Sequence, residues 1–183
     1  MQRFPLQTAA TAPEKCKATL QALEQKFGFL PNALATMANS PVLLSAFVGT
    51  FSSFHGGSFD ARERQVLLLT NAVAINCPWT IAAHSHFALG EGMAESEVDA
   101  IRQGKLPKDP KYAALSGLTK ALIEQRGHVG ESEIARFTQA GYAEVQLLEL
   151  VAGIGVSTMA ATTTNLAGTP IEDRLKGETA AFA

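Results

Sequence analysis

The stretch that decides the fold reads Asp60-Ala61-Arg62-Glu63-Arg64-Gln65-Val66-Leu67-Leu68-Leu69-Thr70 and then, after a short interval, Asn76-Cys77-Pro78-Trp79-Thr80-Ile81-Ala82-Ala83-His84. Asp60 with Glu63 three residues on is a capping box, in which two side chains reciprocally satisfy the free amides of a helix start. A helix is expected from there through Val66, Leu69 and Val73 to about Asn76. Pro78 then gives a fresh start, because proline suits the first helical turn, where its missing N–H would have no partner anyway. Cys77 falls at or beside the N-cap of this second helix, which continues through His84 and Leu89 to about Gly92.

The same signals recur on both sides. Upstream, Thr11 with Glu14 reads as another capping box, followed by Cys16, Leu20, Leu23 and Phe27 at helical spacing, and Gly28 as the stop. Pro31 starts a short helix. Ser40-Pro41 starts a third, with Leu44, Phe47, Phe51 and Phe54 as its apolar stripe, and the loop His55-Gly56-Gly57-Ser58-Phe59 ends it. Downstream, helices are expected over about Glu95 to Gln103, Lys111 to Arg126 and Glu131 to Ala140, with a proline-containing linker over Leu106 to Pro110. A last long helix runs from near Ala143 to about Asn165. No stretch sustains the period-2 alternation of a strand, so the fold class is all-α.

Gly153 and Gly155 sit inside that last helix, where each costs about 1 kcal/mol against alanine. Close packing against another helix is the expected reason for them. Gly92-Met93-Ala94-Glu95 and Gly141-Tyr142-Ala143-Glu144 echo each other, and two ordinary helix starts explain them better than a duplication. The polar segment after Pro170 is expected to leave the core or lie on a neighbour. The chain thus divides into an N-terminal helical extension (1–40), a core (41–174) and a polar tail (175–183), within one structural domain.

Composition narrows the function. The chain has 183 residues, 46% hydrophobic and 17% charged, which is ample for a core. So large and alanine-rich an apolar share points to subunit contacts. A net charge of −2 without a basic block gives no support for nucleic acid or anionic membrane as partner. The longest apolar run, Val151 to Val156, is far short of the roughly 20 residues of a membrane span. There is no basic segment leading into an apolar one at the N-terminus, and two cysteines make no disulfide framework. A cytoplasmic location is expected.

Cys77 is the best nucleophile candidate, since the positive end of a helix favours a thiolate. The alternative is a cysteine packed as a small apolar group. Thr80 and His84 follow at spacings of three and four, on one helix face, with Thr80 and His84 close enough to touch. Cys77 and His84 lie roughly 10 Å apart along the axis, too far to pair directly. Trp79 and His55 are candidates for the wall of a substrate pocket. His84 and His86 face apart on the helix with no completing ligand, and no glycine-rich phosphate loop is present, so neither metal nor cofactor is expected. Cys16, on its apolar stripe, is expected to be buried. His128 is read as a helix-end residue, and Thr162, Thr163 and Thr164 as partners for backbone groups or a subunit contact.

The two opening segments, together with Gly92-Met93, Ile101-Arg102-Gln103-Gly104, Gly141-Tyr142 and Asn165-Leu166-Ala167-Gly168-Thr169-Pro170, resemble the core of the AhpD-like, carboxymuconolactone decarboxylase family over about Pro41 to Arg174. The resemblance implies an all-helical AhpD-like fold, a homotrimer or homohexamer, and alkylhydroperoxidase chemistry where the motif is complete. That motif has two cysteines three apart, a histidine four further on, and a glutamate about twelve before the first cysteine. Cys77 and His84 match the first cysteine and the histidine. Thr80 stands at the second cysteine and Gln65 at the glutamate.

A threonine forms no disulfide and has no reversible thiol oxidation. Gln65 cannot relay a proton by changing charge. Three expectations follow. The first is a peroxidase-type oxidoreductase with peroxiredoxin-like activity reduced to Cys77, acting on an organic hydroperoxide with an external thiol as reductant. The second is a cofactor-free lyase like the family's decarboxylases, with His84 as acid or base and Thr80 and Gln65 as positioning groups. The third is a catalytically silent ligand-binding homologue.

Overall fold

The structure, a computed structural model, describes residues 2–179. The described residues form helices and connecting turns: α1 (Glu14–Phe27), α2 (Asn32–Met37), α3 (Pro41–His55), α4 (Ala61–Ala74), α5 (Pro78–Gly90), α6 (Glu95–Arg102), α7 (Pro110–Glu124), α8 (Glu131–Gln139), α9 (Val145–Ala167) and a short 3-10 helix (Asp173–Thr179).

Helix α4 is the centre. Val66, Leu67, Leu68, Leu69, Thr70, Asn71 and Ala72 are consecutive buried residues, so this part of the helix is covered all round. The helices α5, α6, α7 and α9 surround it. Each buried leucine or valine contributes about 1.5–3 kcal/mol over its exposed state. The predicted capping box holds this helix start: Glu63 N donates to Asp60 Oδ1 at 2.8 Å, and Asp60 N donates to Glu63 Oε2 at 2.9 Å. Glu63 Oε1 also meets Lys111 Nζ at 2.6 Å, which ties α4 to α7 with a buried carboxylate.

The joint between α4 and α5 places the site. Asn76 takes a left-handed φ of 53°, a conformation that asparagine tolerates better than most residues. Cys77 N then reaches back to Ala72 O at 3.1 Å, closing α4, while Cys77 O accepts from Ile81 N at 3.0 Å, opening α5. Cys77 is the N-cap residue and Pro78 holds the first turn.

Three expectations are corrected. Thr11 does not cap α1: the helix begins at Glu14 after Pro13, with no side-chain cap bond. The Thr11 hydroxyl instead accepts from Thr8 N at 2.9 Å, and Pro13 keeps the residue before it out of helical geometry. As far as the described residues reach, the chain after Pro170 does not leave the core; the last part of the expected polar tail, 180–183, lies outside them. Leu175 is 1% exposed, and the terminal 3-10 helix packs on α5. The two glycines of α9 differ. A Cβ on Gly153 would lie 2.7 Å from Phe54 Cε2 and 2.8 Å from Leu67 Cδ1, so close packing of α9 on α3 and α4 requires glycine there, whereas nothing lies within 4 Å of one on Gly155.

By length and composition α9 could cross a membrane. Here one face of it, with Leu150, Gly153, Val156, Ala160 and Ala161, is buried in the fold.

Candidate functional site

Two helices bring the polar pair together. Gln65, on the second turn of α4, and His84, on the second turn of α5, meet with Nδ1 of the imidazole 3.0 Å from the amide Oε1. With a carbonyl oxygen facing it, Nδ1 carries the hydrogen, and Nε2 is left with its lone pair. Burial, and secondly the nearby His55, push the His84 pKa down to about 3. The ring is neutral at physiological pH and acts as a hydrogen-bond acceptor.

These residues line a cleft of about 230 Å³. Its walls are aromatic: Phe27 at the end of α1 and Phe29 just after it, Phe47 and Phe51 on α3, Trp79 and Phe87 on α5. His55 joins the same cleft. Its ring stacks on Phe51 with centroids 3.8 Å apart, and Nδ1 donates to Phe51 O at 2.9 Å. Burial lowers the His55 pKa; the Phe51 carbonyl works the other way, and Arg64 and Lys26 add to the lowering. Lys26 stands at the rim with its ammonium 5.2 Å from the Phe51 ring centroid.

Cys77 and Thr80 stand elsewhere. Both are 0% exposed, and neither is among the residues that line the cleft. The Thr80 hydroxyl donates to Cys77 O at 3.3 Å, turned back toward the start of its own helix. Cys77 Sγ lies 3.0 Å from Thr164 Oγ1. The Thr164 hydroxyl donates its hydrogen to Ala160 O at 3.0 Å, so the contact is completed by the S–H of Cys77 donating to Thr164. Cys77 shares a small buried cluster with Ala33, Trp79, Ala82, Ala83, Ala161 and Leu175.

Of the residues singled out in sequence, then, His84, Gln65, Trp79 and His55 share one cleft, and Cys77 with Thr80 forms a layer behind it. Cys16 is buried, as its stripe predicts, in the main core and not in the cluster around Cys77. His86 is exposed on the far side of α5. Sequence reading missed the closing residues. Glu172 accepts the Trp79 indole N–H at 2.8 Å, and Leu175 lines the cleft. No local periodicity marks either one.

No family model matches the chain, and no curated protein matches it in sequence. Solved structures do match it. An alkylhydroperoxidase AhpD core, an uncharacterized peroxidase-related protein from Ralstonia eutropha JMP134, superposes with a TM-score of 0.83 at 18% identity, covering 95% of this chain and 94% of that one. A peroxidase-related protein from Silicibacter sp. TM1040 gives 0.81 at 14% identity, over 96% and 94% of the two chains. The debrominase Bmp8, in its C82A form with 2,3,4-tribromopyrrole, gives 0.78 at 19% identity, again over 96% and 94%. The chain therefore has the all-helical AhpD-like fold, on which more than one activity is found.

Proposed function

We propose that this chain is an AhpD-like enzyme for a small, largely apolar molecule, held in the aromatic cleft with its acidic O–H or N–H on His84 Nε2. The observation that carries this reading is the Gln65–His84 hydrogen bond inside an otherwise aromatic cleft of about 230 Å³. Gln65 fixes the tautomer, so the acceptor lone pair belongs to Nε2 before any substrate arrives. The walls exclude water and strengthen that one polar contact. A substrate that gives up its hydrogen becomes an anion beside the imidazolium it creates, and the ion pair offsets the cost of charging a buried ring. This is acid–base work of the kind a cofactor-free lyase performs. The tribromopyrrole bound by Bmp8, a flat ring with one N–H, has the shape and donor such a cleft accepts.

A second reading rests on Cys77 sharing a buried cluster with four residues of the cleft wall. It is a peroxidase-type oxidoreductase. The Cys77 sulfur attacks the distal oxygen of an alkyl hydroperoxide, the O–O bond breaks, and the thiol proton leaves with the alcohol. Cys77 becomes a sulfenic acid, and two equivalents of an external thiol return it to the thiol with release of water and a disulfide. The peroxidase-related names of two structural neighbours support it.

One comparison separates the readings. His84→Ala and Cys77→Ser are assayed against alkyl hydroperoxides, carboxylated lactones and halogenated azoles. The first reading expects turnover to survive Cys77→Ser and to fail in His84→Ala. Oxidation of Cys77 by hydroperoxide faster than that of Cys16, read by mass spectrometry, together with loss of turnover in Cys77→Ser, would replace it by the second.

A further inference from the structure

The wall between Cys77 and the cleft is thin and uneven. Of the residues that share the buried cluster with Cys77, Ala33, Trp79, Ala83 and Leu175 also line the cleft. Two of these are alanines, so Trp79 and Leu175 supply nearly all the bulk of the barrier. Both are held by one segment, the strap from Thr169 to Leu175.

The strap is fixed by a short series of polar contacts to distant parts of the chain. Thr169 and Thr36 share a hydroxyl bond of 3.0 Å, and Asn32 Nδ2 donates to Pro170 O at 3.0 Å. Glu172 makes the central contact. One carboxylate oxygen accepts from the Asn32 backbone amide, and the other accepts from Trp79 Nε1. Arg174 lies over the Phe29 ring, 4.0 Å from its centroid. One turn beyond Glu172, Leu175 is buried in the same cluster as Cys77 and lines the cleft. A single carboxylate thus orients the indole on one side and anchors the leucine on the other.

We infer that Glu172 and Leu175 are access-determining residues: the Glu172 carboxylate latches the strap, and its release joins the Cys77 layer to the cleft. Whatever occupies the cleft meets His84 but not Cys77 while the strap is latched. It meets the thiol as well once Leu175 withdraws. The latch is independent of which reaction the cleft supports. Its failure would show in thiol accessibility, whereas failure of the proposed function would show in turnover by the His84 variant.

The test is the rate at which methyl methanethiosulfonate labels each cysteine in the full-length protein, followed residue by residue by mass spectrometry. Cys16, 1% exposed in the main core, is the internal reference. Glu172→Gln keeps the shape but turns an N–H₂ group toward one of the two donors. It is expected to raise the Cys77-to-Cys16 labelling ratio about tenfold, from the loss of one charge-assisted hydrogen bond. Leu175→Ala, which leaves the latch bonds in place and removes the plug, is expected to raise the same ratio. An unchanged ratio in both variants overturns the inference. So does an equal rise at both cysteines, which reports general loosening of the fold.

Discussion

Gln65 Oε1 accepts from His84 Nδ1 across 3.0 Å, and a neutral amide is thereby the partner of a histidine whose pKa is held at about 3. The pair makes an acceptor that stays uncharged until a substrate supplies the proton. Replacing the amide by a charge tests this. In Gln65→Glu a carboxylate beside the ring favours the imidazolium, so the His84 pKa is expected to rise toward its ordinary 6.5 or above. An NMR titration of the imidazole reads it, and a His84 that still titrates near 3 would refute the assignment. His84→Ala is expected to lower turnover by about 10²–10⁴, the usual share of a general acid or base.

The depressed histidines also set how stability follows pH. The His84 pKa is about 3 in the folded protein and 6.5 as its ordinary value, so the unfolded chain takes up the proton first. Stability is full above about pH 6.5 and falls as pH drops toward 3, by up to about 1.4 kcal/mol per pH unit for this one group. His55, lowered as well, works in the same direction. Urea midpoints measured from pH 7.5 to 5 should fall, and His84→Gln should flatten the dependence. An unchanged slope in that variant would mean the ring is not buried as described.

Two glycines of one helix should answer alanine with opposite signs. A Gly153→Ala methyl would press on Phe54 and Leu67, and overpacking of this kind costs about 1–3 kcal/mol, against roughly 1 kcal/mol gained in helix propensity. Gly155→Ala meets no atom within 4 Å and should stabilise an isolated chain by up to about 1 kcal/mol. Thermal melts by circular dichroism compare them directly.

The open face of α9 carries Val145, Leu148, Val151 and Leu166 as exposed apolar residues, Leu148 at 73%. We expect the protein to be a homo-oligomer, with Leu148→Glu shifting it toward monomer in sedimentation velocity. A wild-type protein that sediments as a monomer would remove that expectation. In an oligomer built on this face Gly155→Ala would lose its benefit, which gives a second measurement of the same contact.

The helices were legible because their signals are local. The box at Asp60 and Glu63, the Ser40-Pro41 start and the left-handed Gly28 stop are each settled within a few residues. Thr11 misled because Thr8, three residues before it, competes for the same side chain. The cleft was less legible. Gln65 and His84 lie nineteen residues apart on separate helices, and family resemblance, not periodicity, singled out Gln65. The sequence left the burial of Cys77 as one of two readings, and the return of the C-terminal segment could not be read at all. They depend on Thr164, 87 residues away from Cys77, and on Glu172, which meets Asn32 across 140 residues. Pairing at such separations leaves no mark on the pattern of either segment.

Trp79 is the only tryptophan in the chain, and its indole N–H is bonded to Glu172. The protein therefore carries one intrinsic fluorophore, placed at the seam between cleft and strap. Its emission reports the wetting of that seam before it reports the melting of the helices around α4. A fluorescence transition that precedes the circular dichroism transition would accordingly describe a local opening, and the two signals together would separate the partly open molecule from the unfolded one.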